Sequence, residues 1–286
     1  MVARPRIRIL SLCSGIGGLD LGVHRALTGL GFSPVTVCYV EGEAFAASVL
    51  VKQMEKGALD AAPIWSDLKT FDASRWRGSV DAVVAGFPCQ PFSLAGKGLA
   101  KDDPRHLWPH VLRVLKESGA TMAFLENVPG LVRRGLRDVI EDLSGAGFNA
   151  GWGCHAASEA GAIHKRERLF ILAHADGEGE SQQEGALKEV GRRPGRRPQE
   201  DDAYSHHTGC QEQRGGESGG EFLAPSQLSI GRPTQPGILR GVHGVPNRLD
   251  RIRTLGNAVV PQCAERAFRE LWQRAVKPQR RRKDRA

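Results

Sequence analysis

Cys89 is the residue in this chain most suggestive of covalent chemistry. It lies in GFPCQPFSLAGKG (Gly86–Gly98), directly after an apolar run, with Pro88 and Pro91 stiffening the backbone on either side of Cys89-Gln90. A cysteine at the carboxyl end of a parallel strand stands where ligands bind in α/β architectures. The ordinary role of a cysteine is that of a small core residue. An unperturbed thiol, with a pKa of about 8.5, is only a few per cent thiolate at neutral pH, so a nucleophile needs local help. The Pro-Cys-Gln-Pro setting argues for the reactive role.

Two further groups of side chains could serve such a nucleophile. In FLENVPGL (Phe124–Leu131) an apolar run delivers Glu126 and Asn127 to a strand end. A partly desolvated carboxyl group there has its pKa raised and holds a proton near neutrality. In HKRERLFILAHA (His164–Ala175), Arg166 and Arg168 alternate ahead of another strand, able to anchor a base oxygen or a phosphate; the plainer alternative is a solvated strand edge.

A second set of residues suits a nucleoside. LSLCSGIGGLDLG (Leu10–Gly22) runs from an apolar strand through Ser14-Gly15-Ile16-Gly17-Gly18 into a helix. Glycines at such a turn permit positive φ and close approach of a ligand to the backbone. No Lys-Ser/Thr follows, which argues against a Walker-type phosphate loop. Glu41 ends the next strand, where a carboxylate accepts ribose hydroxyls. Glu43 competes for that role, or serves as a helix-start residue favoured by the macrodipole. Asp67, in WSDLKTFD, follows one strand further on and is suited to an adenine amino group.

These residues need a frame that brings strand ends together. The candidate strands are Ile7–Cys13, Val35–Val40, Val80–Gly86, Met122–Glu126 and Leu169–His174. The candidate helices are Leu19–Leu30, Ala44–Glu55, His106–Glu117 and Leu136–Gly145. Strands alternating with helices of this length predict a doubly wound α/β domain around a mostly parallel sheet. From Asp176 to about Gly231 the chain turns polar and rich in Gly, Gln, Glu and Arg, which predicts a loop-rich, partly disordered insertion. Apolar periodicity returns in Pro246–Ala275, with a helix expected over Val260–Ala275 and Pro261 in its first turn.

Bulk properties narrow the class. The 286 residues are 40% hydrophobic and 25% charged, ordinary for a globular chain. No apolar run approaches the ~18–20 residues that span a bilayer, and the basic start alternates like a strand; a cytoplasmic protein is expected. Six dispersed cysteines contain no CxxC pair, so neither a metal centre nor a disulfide framework is expected. The net charge of +8 suggests a polyanionic partner, although a net of five of those charges sits in the tail KPQRRRKDRA, which reads first as a solvated end.

Taken in order and closed by LGNAVVP (Leu255–Pro261), these motifs resemble the bacterial and phage DNA cytosine-5 methyltransferases, over about residues 7–175 and 246–275. The resemblance implies the class I S-adenosylmethionine-dependent methyltransferase fold with a small, loop-rich second region. It implies that Cys89 adds to C6 of a flipped-out cytosine in double-stranded DNA and that Glu126 stabilises the adduct at ring N3. Asn127 would position the loop, and Arg168, supported by Arg166, would hold the base or that loop. S-adenosyl-L-methionine would lie across Cys13, Ser14, Gly15, Ile16, Gly17, Gly18, Glu41, Asp67, Leu68, Leu107, Asn257 and Ala258. Ser93–Asp103 fits a loop closing over the base.

The implied organisation is a catalytic domain over 1–175, a short target-recognition region over 176–245, a returning segment over 246–276 and a basic tail over 277–286. A monomer on DNA is expected, within a restriction-modification system with a separately encoded endonuclease or as an orphan or phage enzyme. Cys13 stands where the family usually has an aromatic residue, and the recognition region is short, polar and without a recognisable ninth motif. Two alternatives stay open: a tRNA cytosine-5 methyltransferase, and a non-catalytic DNA-binding relative with a decayed recognition region.

Overall fold

The computed structural model describes residues 4–88, 107–175 and 248–276. Seven strands form one sheet: β1 (Arg6–Leu12), β2 (Ser33–Val40), β3 (Ile64–Trp65), β4 (Ala82–Ala85), β5 (Met122–Asn127), β6 (Phe148–Ala156) and β7 (Glu167–Ala175), in the order β3-β2-β1-β4-β5-β7-β6. Neighbours from β3 to β5 pair in parallel, and β7 runs antiparallel to both β5 and β6. The helices are α1 (Gly18–Gly29), α2 (Ala44–Glu55), α3 (Trp108–Ser118), α4 (Leu131–Arg134), α5 (Leu136–Gly145), α6 (Arg248–Asn257) and α7 (Pro261–Val276).

The central strands β4 (AVVA) and β5 (MAFLEN) are buried at every position, as apolar strands covered on both faces must be. Their side chains alternate between two cores. Ile9, Val84, Phe124 and Phe170 pack beneath α1 and α7, while Leu10, Val83, Leu125 and Ile171 pack with residues of α3 and α5. Arg8 pins β1 to the start of β4: its Nε and Nη2 donate to the Asp81 carboxylate at 2.9 Å each, which lowers the Asp81 pKa.

The returning helix α7 docks on a glycine face of α1. A Cβ on Gly22 would lie 2.6 Å from that of Ala264, and one on Gly18 would run into the Val259 carbonyl. Removing those Cβ atoms lets the two helices approach closely enough for Ala264, Ala267 and Phe268 to be fully buried. Phe268 meets Phe124 edge to face at 5.0 Å and stacks on Trp272 at 5.9 Å, geometries that suit the aromatic quadrupole.

The doubly wound, mostly parallel sheet agrees with the sequence, as do the bounds of α2 and α5 and the place of Pro261 at the start of α7. Some elements depart from it. β6 was not expected, because FNAGWGCHA carries Gly151 and Gly153; its full pairing with β7 overrides that weak propensity. β3 is only two residues long. The polar stretch RLDRIRTLGN forms α6, against the expectation of a helix only from Val260. Cys13, Cys38 and Cys263 are free thiols, and Cys154 takes part in a disulfide, where the sequence leads one to expect no disulfide framework. Among the described residues no helix is long and apolar enough to cross a membrane. Cys89, the proposed closing loop over Ser93–Asp103, the recognition region over 176–245 and the basic tail lie outside the described residues.

Candidate active site

The carboxyl ends of β1 and β2 build the glycine turn. Cys13, Gly15 and Gly17 take positive φ values of 50°, 56° and 81°. Cys13 therefore accepts a backbone that non-glycine residues adopt at a cost. Ser14 is buried: its N–H donates to Val40 O at 3.2 Å, and its hydroxyl accepts from Ser11 Oγ at 2.8 Å. The two left-handed glycines of the turn do different work. A Cβ on Gly17 would lie 2.5 Å from Leu59, so this residue backs onto the core, whereas a Cβ on Gly15 would meet nothing within 4 Å among the described residues. The space over Gly15 is open.

Glu41 staples this turn to the end of β2. Its Oε2 accepts the Gly15 N–H at 2.6 Å and its Oε1 the Glu43 N–H at 2.7 Å. Burial pushes its pKa up, and those backbone donors oppose the shift. The alternatives left by the sequence therefore separate: Glu41 faces the turn, and Glu43 is an exposed N-cap position of α2. Burial, with Glu41 nearby, also raises the Cys13 thiol to about 12, so it stays protonated.

The remaining cofactor candidates are spread around this centre. β3 hydrogen-bonds to the end of β2, Glu41 N–H donating to Trp65 O at 2.8 Å, and so carries exposed Asp67 and buried Leu68 to the same edge. Leu107 is half-buried at the start of α3, packed against the core beneath. Ile16 lines a pocket of about 380 Å³ between α2 and α6, with Phe45, Val49, Lys52, Arg251 and Leu255. Asn257 ends α6 exposed, followed by half-buried Ala258.

On the other side of β1, the ends of β4, β5 and β7 converge. Glu126 is only 7% exposed, and Arg168 Nε reaches its Oε1 at 2.9 Å. Burial raises its pKa to about 7, against the opposing charges of Arg168 and then Arg166. A carboxyl poised there is able to hold or release a proton at neutral pH. Gly86 marks where the two sides meet: a Cβ on it would lie 3.5 Å from Glu126 Oε2 and 3.7 Å from Cys13 O. Asn127 Nδ2 donates to the Phe87 carbonyl at 3.0 Å, and its Oδ1 accepts the Val128 N–H at 2.8 Å. Asn127 thus fixes the backbone two residues ahead of Cys89.

The paired arginines do not share a task. Arg168 is committed to Glu126, whereas Arg166 Nη2 donates to Gly256 O at 2.8 Å and also to Ala258 O. One contact escaped the sequence altogether. The Trp108 indole N–H donates to Asp142 at 2.7 Å while its ring lies 5.3 Å from that of Phe87, tying α3 to the strand that leads to Cys89. Asp142 stands 34 residues away on an exposed helix face, where periodicity carries no signal.

Residues 7–208 match the family model described as C-5 cytosine-specific DNA methylase. The chain belongs to this family. It is 32% identical over 168 residues to the Type II methyltransferase M.NgoMIV of Neisseria gonorrhoeae, covering 57% of this chain and 50% of that one. With the Type II methyltransferase M.AquIA of Picosynechococcus sp. it shares 31% identity over 183 residues, 58% of this chain and 71% of that one. The chain spans about half or less of the length of most of the curated relatives it matches. Among solved structures, the Entamoeba histolytica methyltransferase EhMeth superposes with a TM-score of 0.51 at 18% identity, over 63% of this chain and 56% of that one, a likeness of fold.

Proposed function

We propose that this methylase-family chain transfers a methyl group from S-adenosylmethionine to C5 of cytosine in double-stranded DNA, with Cys89 as covalent nucleophile. The observation that carries the reading is Glu126: a buried carboxyl with a pKa near neutrality, paired with Arg168 and lying 3.5 Å from the Cβ position of Gly86, three residues before Cys89. The donor fits the neighbouring strand ends, where the space over Gly15 is open and the Glu41 carboxylate is already aligned by backbone N–H groups. Gly15 and Glu41 would hold its nucleoside, with Asp67, Leu68, Leu107, Asn257 and Ala258 around it.

The chain's own residues account for the polar steps. The Cys89 thiolate forms a bond to C6, and the C5–C6 π electrons shift toward N3, which takes the proton of Glu126. C5 thereby becomes nucleophilic. Bound S-adenosylmethionine supplies the electrophilic methyl group that C5 accepts. A base then removes the C5 proton, the Cys89–C6 bond breaks, and the N3 proton returns to Glu126. Arg168 keeps the Glu126 carboxyl oriented throughout and stabilises its ionised form once the proton is given up. The target base has to leave the duplex for this attack, at a cost of a few kcal/mol of unstacking.

We further place the protein in the cytoplasm, as a monomer acting on DNA, with any endonuclease partner encoded separately. The decisive experiment uses a duplex carrying 5-fluorocytosine, mixed with the methyl donor. Fluorine at C5 cannot leave as a proton, so wild type accumulates a covalent adduct and Cys89→Ala accumulates none. An adduct surviving that substitution excludes Cys89. Labelled donor offered mixed DNA or tRNA is expected to label DNA; label in tRNA alone would redirect the substrate.

A further inference from the structure

The segment that joins α6 to α7 touches both halves of the site. On one side, the Val259 carbonyl lies so close to Gly18, the last residue of the glycine turn and the first of α1, that no Cβ fits between them. On the other, Arg166 Nη2 donates to the carbonyls of Gly256 and Ala258, the two residues that flank Asn257. The Ala258 N–H is itself held by Thr254 O at 2.9 Å. Arg166 has a φ of +28°, a backbone state that non-glycine residues reach only at a cost. Its Nε is buried from solvent and has no hydrogen-bond partner among the described residues, so that atom is not offered to an open base pocket. Arg168, two residues on, carries the direct contact with Glu126.

We propose that Arg166 is a positioning residue for the methyl donor: it sets the backbone on both sides of Asn257 and makes no contact with the target base. The two arginines thus divide the labour, Arg168 serving the base through Glu126 and Arg166 serving the donor through the carbonyls on either side of Asn257. This rests on the reading of Asn257 and Ala258 as donor contacts given above.

The test separates donor binding from chemistry. Donor affinity is measured by calorimetry without DNA, and adduct formation is timed on a 5-fluorocytosine duplex at saturating donor. Arg166→Met keeps the length and removes the donors; a lost charge-assisted hydrogen bond is expected to weaken donor binding by about tenfold. The adduct rate at saturation stays close to wild type. Arg166→Lys, which keeps a cation and a donor for one carbonyl, falls between the two in affinity. If the Met variant does not fold, the Lys variant carries the test with the same expectation of weakened affinity and a retained saturated rate. Wild-type donor affinity with a slowed adduct rate, in whichever variant folds, overturns the proposal and returns Arg166 to the base. Failure of wild type itself to bind donor or form adduct would refute the methyltransferase reading instead.

Discussion

At the glycine turn the buried carboxylate of Glu41 is held by backbone N–H groups, whereas across β1 that of Glu126 is held by the guanidinium of Arg168. The first arrangement depends on the path of the main chain, and apart from Glu41 itself a side-chain substitution disturbs it only where a glycine is required. The second depends on two charges brought together from β5 and the start of β7, and it responds to pH and to the loss of either partner. On the proposed reading, a donor that is the same in every turnover would be met by a rigid backbone cradle, and a proton moved on and off a base by the tunable pair.

The contrast is most sharply broken at Glu126. Replacing it with Gln removes the transferable proton, and turnover should fall by about 10²–10⁴-fold while donor affinity stays near wild type; single-turnover kinetics with calorimetry would check both. A normal rate would remove the acid role. On the backbone side, Gly15→Val places a branched side chain in a left-handed position and in the open space above the turn. Donor binding is then expected to weaken by at least roughly tenfold, the scale of one lost or blocked contact, with the saturated rate less affected. Unchanged affinity would show that the donor does not approach Gly15.

The subtlest test is a pH profile. Glu126 is protonated below about 7 and ionised above it, so the adduct-forming rate should show a limb that falls as pH rises through that value. Arg168 lowers this pKa, so Arg168→Met removes a stabiliser of the carboxylate and should move the limb to higher pH. A limb that stays in place would mean that another group controls it.

Much of this architecture is legible in the residues, and the exceptions have physical causes. The bounds of α2 and α5 follow from helical patterning, and β4 and β5 from short uninterrupted apolar runs. The Glu126–Arg168 pair is not readable, because it requires the antiparallel register that sets Glu126 opposite Phe170 and brings residues 42 positions apart into contact. Choosing Glu41 over Glu43 likewise needs the Gly15 hydrogen bond. β6 hides behind its glycines, since its full pairing with β7 stabilises it more than its own propensity, and α6 hides behind its polarity. The separate destinations of Arg166 and Arg168 are equally invisible in an alternating Arg-Glu-Arg string.

The packing of α7 on the glycine face of α1 also bears on how the molecule comes into being. More than two hundred residues separate the two helices along the chain. At ~5–20 residues per second on a ribosome, Val23 and Leu27 wait on the order of tens of seconds for Phe268 and Leu271 to arrive. Through that interval the nascent sheet has one oily flank bare, a natural place for a chaperone to bind and for crowded, half-made copies to stick together.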